Sequence, residues 1–163
     1  LIYGLSLSTM YIASTLYHNS KTANSRYNLR MFDMISIYIL IAGSYTPFTL
    51  ILLKDNQGWL LFSIIWLLAL FGIVWKIFTV GKYNLVTTSL YIFMGGLWLF
   101  FYESFVNQIP SDALWWITAG CLTYLAGVIF YLLDNKLKYN HFIWHLFVLA
   151  ASGCHYISIY FYI

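Results

Sequence analysis

The chain has 163 residues, of which 62% are hydrophobic, 21% aromatic and only 8% charged. Soluble globular domains carry about 25% charged residues, and eight Lys and Arg with five Asp and Glu cannot solvate such a surface. Disorder requires low hydrophobicity with high charge, and a net charge of +3 is too small for a nucleic-acid-binding surface. The composition therefore predicts a membrane protein with several spans and no nucleic-acid partner.

Short polar clusters divide the chain into six apolar segments, each close to the ~20 residues that a helix needs to cross the hydrocarbon. The stretch 60–74 is apolar almost throughout, whereas a β-barrel strand would alternate polar and apolar residues. We therefore predict an all-α integral membrane helical bundle, a single polytopic domain over 1–163. Its six transmembrane helices cover about 1–17, 34–53, 59–79, 85–102, 113–133 and 142–162.

Basic residues concentrate in alternate loops. The loops after the first, third and fifth segments hold seven of the eight Lys and Arg residues, namely Lys21, Arg26, Arg30, Lys76, Lys82, Lys136 and Lys138. Because Lys and Arg mark cytoplasmic loops, we expect these loops to be cytoplasmic and the carboxyl terminus to lie outside. The sequence begins at Leu1 within an apolar segment, so we also expect a further helix upstream of it.

Ionisable residues inside spans are costly and mark functional sites. His141 and His145 open the sixth segment and are four residues apart, which places them on one helix face about 6 Å from each other. Two imidazoles in that relation can share a metal ion, although such a pair can also simply face water at the interface. Position 142 is Phe, so the general base of a zincin HExxH motif is missing.

The predicted topology strengthens the metal interpretation. His18 ends the first segment and Asp33 opens the second, at the same cytoplasmic side as His141 and His145. Three neutral imidazoles and a water form a tetrahedral catalytic zinc set with an open position. Asp33 would bind the metal-bound water or take its proton, and Ser14, one turn before His18, would orient the imidazole or a substrate carbonyl.

Other polar and small residues indicate architecture. His155 is ten residues beyond His145, or about 15 Å along a helix, and cannot share its metal ion. We expect it to form a hydrogen bond between helices or to line a cavity, and we favour the structural role. Pro47 should distort the second helix, and Cys121 and Cys154 are interpreted as small buried residues rather than ligands.

The ordered combination of Ser-x3-His, Asp and His-x3-His resembles the bacterial hemolysin III proteins, within the progestin and adipoQ receptor family. The similar stretches are residues 13–18, 32–33, 37–38, 41–48, 139–149 and 154–156. The resemblance implies a seven-helix fold with a cytoplasmic amino terminus, of which six helices are present and the first is missing through truncation or a misplaced start. It also implies a Zn²⁺ ion near the cytoplasmic face.

By this resemblance the zinc ligands would be His18, His141 and His145, with Asp33 holding the water and Ser14 as the motif serine. The family is similar to alkaline ceramidases, which favours a zinc-dependent lipid amide or ester hydrolase of the bacterial cell membrane, with a membrane lipid as substrate and a role in lipid homeostasis. Two alternatives stay open: a pore-forming cytolysin, and a non-catalytic receptor or regulator with structural zinc.

Overall fold

The computed structural model describes residues 1–53, 56–133 and 139–163, apart from the side chain of His141. Lys136 and Lys138, which entered the prediction of orientation, lie outside the described residues. The side chain of the predicted ligand His141 is also outside them.

Helices account for nearly all of the described chain, and no strand occurs in it. The elements are α1 (Ile2–Asn19), α2 (Ala23–Pro47), a π-helical turn (Phe48–Leu52), α3 (Asn56–Phe78), α4 (Asn84–Gly96), a 3-10 segment (Leu97–Phe101), α5 (Tyr102–Gln108), α6 (Ser111–Leu132) and α7 (Asn140–Tyr162). The predicted all-α membrane bundle is confirmed.

Five helical stretches of the described chain are long and apolar enough to cross a membrane: Ala23–Leu52, Asn56–Phe78, Asn84–Gln108, Ser111–Leu132 and Phe142–Tyr162. The first predicted span forms helix α1 but is not one of them, because Ser, Thr, His and Asn residues lower its hydropathy. Helix α2 begins eleven residues before the predicted boundary at 34, since the polar stretch 23–33 is also helical.

Two compact units make up the chain, Leu1–Phe101 and Tyr102–Ile163. In the first unit, α2 lies against α1, α3 and α4, and it has more buried residues than any of these three helices. Tyr38 of α2 is fully buried. Its ring lies against Gly72 of α3, where a Cβ atom would overlap it, and 4.6 Å from the ring of Tyr91. The Tyr91 hydroxyl donates to the Met34 carbonyl at 2.7 Å, which ties α4 back to α2.

Helix α2 loses its regular geometry at Pro47, as predicted, and continues for five residues as a π-helical turn. Proline has no N–H to donate, so its helix loses one backbone hydrogen bond. The hydroxyl of Thr49 donates to the carbonyls of Tyr45 at 3.1 Å and Thr46 at 3.2 Å. Side-chain hydroxyls thus satisfy carbonyls at the break, as a membrane-embedded irregularity requires.

A second irregularity follows Gly96, where α4 changes to a 3-10 segment. The Tyr45 hydroxyl from α2 reaches this junction and lies 3.0 Å from the Met94 carbonyl and 2.9 Å from that of Gly95. It also accepts a hydrogen bond from the Trp98 backbone N–H at 3.2 Å. One side chain therefore joins the distorted region of α2 to the distorted region of α4.

In the second unit, α6 and α7 form an antiparallel pair with α5 against α6. Gly120 and Gly127 of α6 face the side chains of His155 and Phe147, and a Cβ atom at either glycine would crowd them. The Ser158 hydroxyl donates to the Ala113 carbonyl at 3.1 Å. Small residues and hydroxyls of this kind allow membrane helices to approach closely.

The Tyr45 hydroxyl should stabilise the first unit. We expect Tyr45→Phe to lower the free energy of unfolding by about 1–3 kcal/mol, because backbone groups at the α4 junction lose their hydrogen bonds to the Tyr45 hydroxyl. Thermal unfolding of the detergent-purified protein measures the effect. The matched control is Tyr160→Phe, which removes a hydroxyl from a residue that is 66% exposed. Equal melting temperatures for the two variants would contradict the assignment.

The close contact between Gly120 and His155 should also contribute to stability. We expect Gly120→Ala to destabilise the protein by about 1–3 kcal/mol, because the added methyl group overlaps the His155 ring. Gly153→Ala in α7 is the control, since nothing lies within 4 Å of a Cβ atom there and alanine favours the helix. The same unfolding assay should show Gly153→Ala unchanged or slightly stabilised. An unchanged stability of Gly120→Ala would show that α6 and α7 can move apart without loss of unfolding free energy.

Candidate metal centre

Helices α1 and α2 form an antiparallel pair joined by a short connection through Ser20, whose extended backbone ends α1. Gly43, near the end of α2, faces Ser6, near the start of α1. His18 lies twelve residues after Ser6 on α1. The position twelve residues before Gly43 on α2 is residue 31, which is two residues from Asp33. At 1.5 Å per residue, His18 and Asp33 therefore lie within about 3 Å of each other in depth.

His18 occupies the last turn of α1 and is exposed. Its ring meets the Tyr17 ring edge-on, with centroids 4.8 Å apart. The Arg26 guanidinium lies over the Tyr17 ring, 5.8 Å from its centroid. These contacts place His18 at the open end of the α1–α2 pair, where the imidazole is accessible to a ligand.

Ser14 and Asp33 are less accessible than His18. Ser14 lies one turn before His18 on α1 and is only 4% exposed, whereas Asp33 is half-buried on α2. The Asp33 backbone carbonyl accepts a hydrogen bond from the Ser36 hydroxyl at 2.7 Å. A carboxyl group and a hydroxyl group are thus held on the two helices that also carry His18.

The second half of the predicted ligand set lies at the start of α7. The Asn140 amide donates to the Leu133 carbonyl at 2.8 Å, which ties the first residue of α7 to the end of α6. His141 and His145 then follow one helical turn apart in the backbone. His145 is half-buried. Counting ten residues from the facing pair Gly120 and His155 places His145 opposite the last turn of α6.

The predicted residues therefore form two sets. The first unit holds Ser14, His18 and Asp33, and the second unit holds His141 and His145. Among the described side chains, no three His, Cys, Asp or Glu groups lie together as a metal site; the predicted ligand His141 is not among those side chains. The union of the two sets around one Zn²⁺ ion stays a prediction.

The donor chemistry fits zinc. Imidazole nitrogens suit Zn²⁺, and a three-histidine set leaves a fourth position for water. A histidine pair at i and i+4 on α7 has the spacing that two ligands of one ion need. His18, exposed at the end of α1, is the third imidazole of the predicted set.

His155 has the structural role that was predicted for it. It is buried in α7, and its Nε2 atom lies 3.3 Å from the Ile117 carbonyl of α6, which confirms the hydrogen bond between helices. The same nitrogen lies 3.9 Å from the Cys121 sulfur, and Tyr124 packs edge-on against the ring at 5.6 Å. Cys121 and Cys154 are half-buried free thiols.

Lys76 is a residue whose environment the sequence did not indicate. Lys76 is predicted to lie in a cytoplasmic loop, but it lies in the last turn of α3 and is fully buried. Two features could have indicated its burial. Lys76 ends an otherwise uncharged helix, and it lies four residues after Gly72, on the face that packs against α2.

Comparison with known proteins places the whole chain in one group. The family model described as "Haemolysin-III related" matches residues 1–156. Hemolysin-3 of Bacillus cereus is 39% identical over 99% of this chain and 74% of its own length. The Hemolysin-3 homolog of Bacillus subtilis (strain 168) is 37% identical over 99% of this chain and 75% of its own.

A human protein is also similar. Monocyte to macrophage differentiation factor of Homo sapiens is 32% identical over 99% of this chain and 69% of its own length. This similarity supports the relationship to the progestin and adipoQ receptor family. No solved structure matches the chain. The family match and the two bacterial relatives show that this multi-pass membrane protein belongs to the haemolysin-III family.

Proposed function

We propose that this protein is a zinc-dependent hydrolase of lipid amide or ester bonds, with His18, His141 and His145 as ligands. The observation that carries the proposal is the matched depth of His18 and Asp33 on adjoining helices of the first unit. An imidazole and a carboxyl group at one level are what a water-activating metal site needs. The one-turn spacing of the two histidines on α7 supports the same site.

Each residue has a defined part in this chemistry. A bound zinc ion lowers the pKa of its water to about 7 and polarises a carbonyl group. Asp33 accepts the proton of the attacking water through its carboxylate, and the water oxygen adds to the substrate carbonyl carbon. The proton passes from Asp33 to the leaving nitrogen or oxygen as its bond to that carbon breaks. The buried hydroxyl of Ser14 donates to the substrate carbonyl oxygen.

A membrane lipid is the proposed substrate because the chain is a multi-pass helical membrane protein. Such a substrate reaches the site from within the bilayer rather than from water. The names of the bacterial relatives favour a pore-forming cytolysin instead, and a non-catalytic receptor with structural zinc would share the ligand set. Metal content and turnover separate the three functions.

Removal of one ligand should remove the metal. We expect the detergent-purified wild-type protein to carry about one zinc ion per chain, and His145→Gln to carry little, because two remaining imidazoles bind Zn²⁺ much more weakly. Mass spectrometry of metal content gives the measurement. His155→Gln is the matched control on the same helix, since glutamine can keep the hydrogen bond to Ile117.

Two outcomes would contradict the zinc site. Well-folded wild-type protein without metal would refute both the hydrolase and the structural-zinc function. Equal zinc in His145→Gln and His155→Gln would place the metal elsewhere. Ion conductance across bilayers that persists after substitution of all three ligand histidines would then favour the pore-forming function.

Asp33 distinguishes catalysis from structural zinc. We expect Asp33→Asn to retain zinc but to lose about 10²-fold or more in the rate of hydrolysis of a ceramide or a related lipid amide, because the general base is missing. Single-turnover release of fatty acid measures the rate. Ser36→Ala, one turn further along α2, is the control, since its hydroxyl bonds only the Asp33 backbone carbonyl. Equal rates for wild type and Asp33→Asn would exclude this mechanism.

A further inference from the structure

Lys76 carries a buried charge that the proposed hydrolase does not use. Its side chain is 0% exposed. The Nζ atom donates to the Lys82 carbonyl at 3.2 Å and to the Thr87 hydroxyl at 3.1 Å, and both acceptors are neutral. Burying a cation without an anionic partner is unfavourable. A negative charge in the surroundings would stabilise this arrangement.

Two more cations lie beside Lys76. Arg30 of α2 reaches the turn between α3 and α4, where its Nη1 atom lies 3.4 Å from the position of a Cβ atom at Gly81. Lys82 follows Gly81 in the α3–α4 turn and is exposed. In the part of the chain that the structure describes, no ion pair neutralises these three residues, which we call the Arg30 cluster (Arg30, Lys76 and Lys82).

Aromatic residues beside the cluster indicate its depth. The ring of Trp75 lies 6.0 Å from that of Tyr83, which is 60% exposed. Phe78, at the end of α3, is 82% exposed. Tyr and Trp concentrate at the level of lipid headgroups, where an aromatic ring meets both hydrocarbon and water. The Arg30 cluster is therefore at headgroup level.

We propose that the Arg30 cluster binds the phosphate group of an anionic phospholipid. The Arg30 guanidinium presents parallel N–H donors that match two phosphate oxygens. The exposed ammonium of Lys82 approaches the same phosphate from the turn. Lys76 does not touch the lipid; its buried charge draws the anion to this place, and the bound phosphate offsets the cost of that charge. The exposed aromatic residues contact the adjoining acyl chain.

Lipid retention by the intact protein tests the site. The probe is phosphatidylglycerol, titrated into the detergent-purified protein and followed by native mass spectrometry, with phosphatidylcholine as the reference lipid. We expect wild type to prefer phosphatidylglycerol. Arg30→Gln and Lys82→Gln should each weaken its affinity about tenfold, as expected for the loss of one charge-assisted hydrogen bond. Lys21→Gln is the matched control, because Lys21 is exposed outside the cluster.

Three results would overturn the proposal. The first is an unchanged phosphatidylglycerol affinity in both Arg30→Gln and Lys82→Gln. The second is an equal loss in Lys21→Gln, which would indicate only a general charge effect. The third is displacement of the lipid by millimolar inorganic phosphate, which would assign the cluster to a free anion. Lys82→Gln keeps the test valid if Arg30→Gln does not fold, because the hydrogen bonds of Lys82 to Lys76 and Thr79 use its backbone and not its side chain.

Zinc content provides an independent readout. The substitutions at Arg30 and Lys82 should leave the zinc content of the protein unchanged, because neither residue is a proposed ligand. Failure of the lipid-binding proposal and failure of the hydrolase proposal are therefore distinguishable by measuring metal and lipid on the same samples.

Discussion

Backbone hydrogen bonding in hydrocarbon is the constraint on which the rest of this structure depends. Without water, every N–H and carbonyl group in a span needs an internal partner. Regular helix satisfies most of them, but Pro47 and Gly96 interrupt α2 and α4. The Tyr45 hydroxyl serves the carbonyls and the N–H at the second interruption. Because Tyr45 belongs to α2, the hydrogen bonds that satisfy the backbone of α4 also hold α4 against α2.

The same constraint explains which polar side chains carry information about function. Many Ser and Thr residues bond a carbonyl of their own helix three or four residues back, as Thr15 and Thr118 do. Such hydroxyls are satisfied locally and need no ligand. The Lys76 ammonium instead donates outside its own helix, to the Lys82 carbonyl and the Thr87 hydroxyl. Both proposals rest on ionisable groups rather than on such hydroxyls.

The two proposals use residues that lie one helical turn apart on α2. Asp33 and Arg30 lie three residues apart on α2, one beside the level of His18 and the other beside the turn between α3 and α4. Helix α2 therefore joins a proposed site of lipid chemistry to a proposed site of lipid binding. An anionic lipid held at Arg30 would stabilise the depth and orientation of the helix that carries Asp33.

The sequence by itself determined the class of fold, and it predicted a candidate site. Apolar segments of spanning length predicted the helices, because hydrocarbon thickness sets that length, and the histidine spacing on α7 predicted two ligands on one face. Helix ends were less predictable, since the helical stretch 23–33 is too polar to be recognised as part of a span. Only the tertiary structure decided that Lys76 is buried rather than in a loop, that Tyr45 joins two helix breaks, and that His155 bonds Ile117. These contacts link residues far apart in the chain, so no local pattern of residues encodes them.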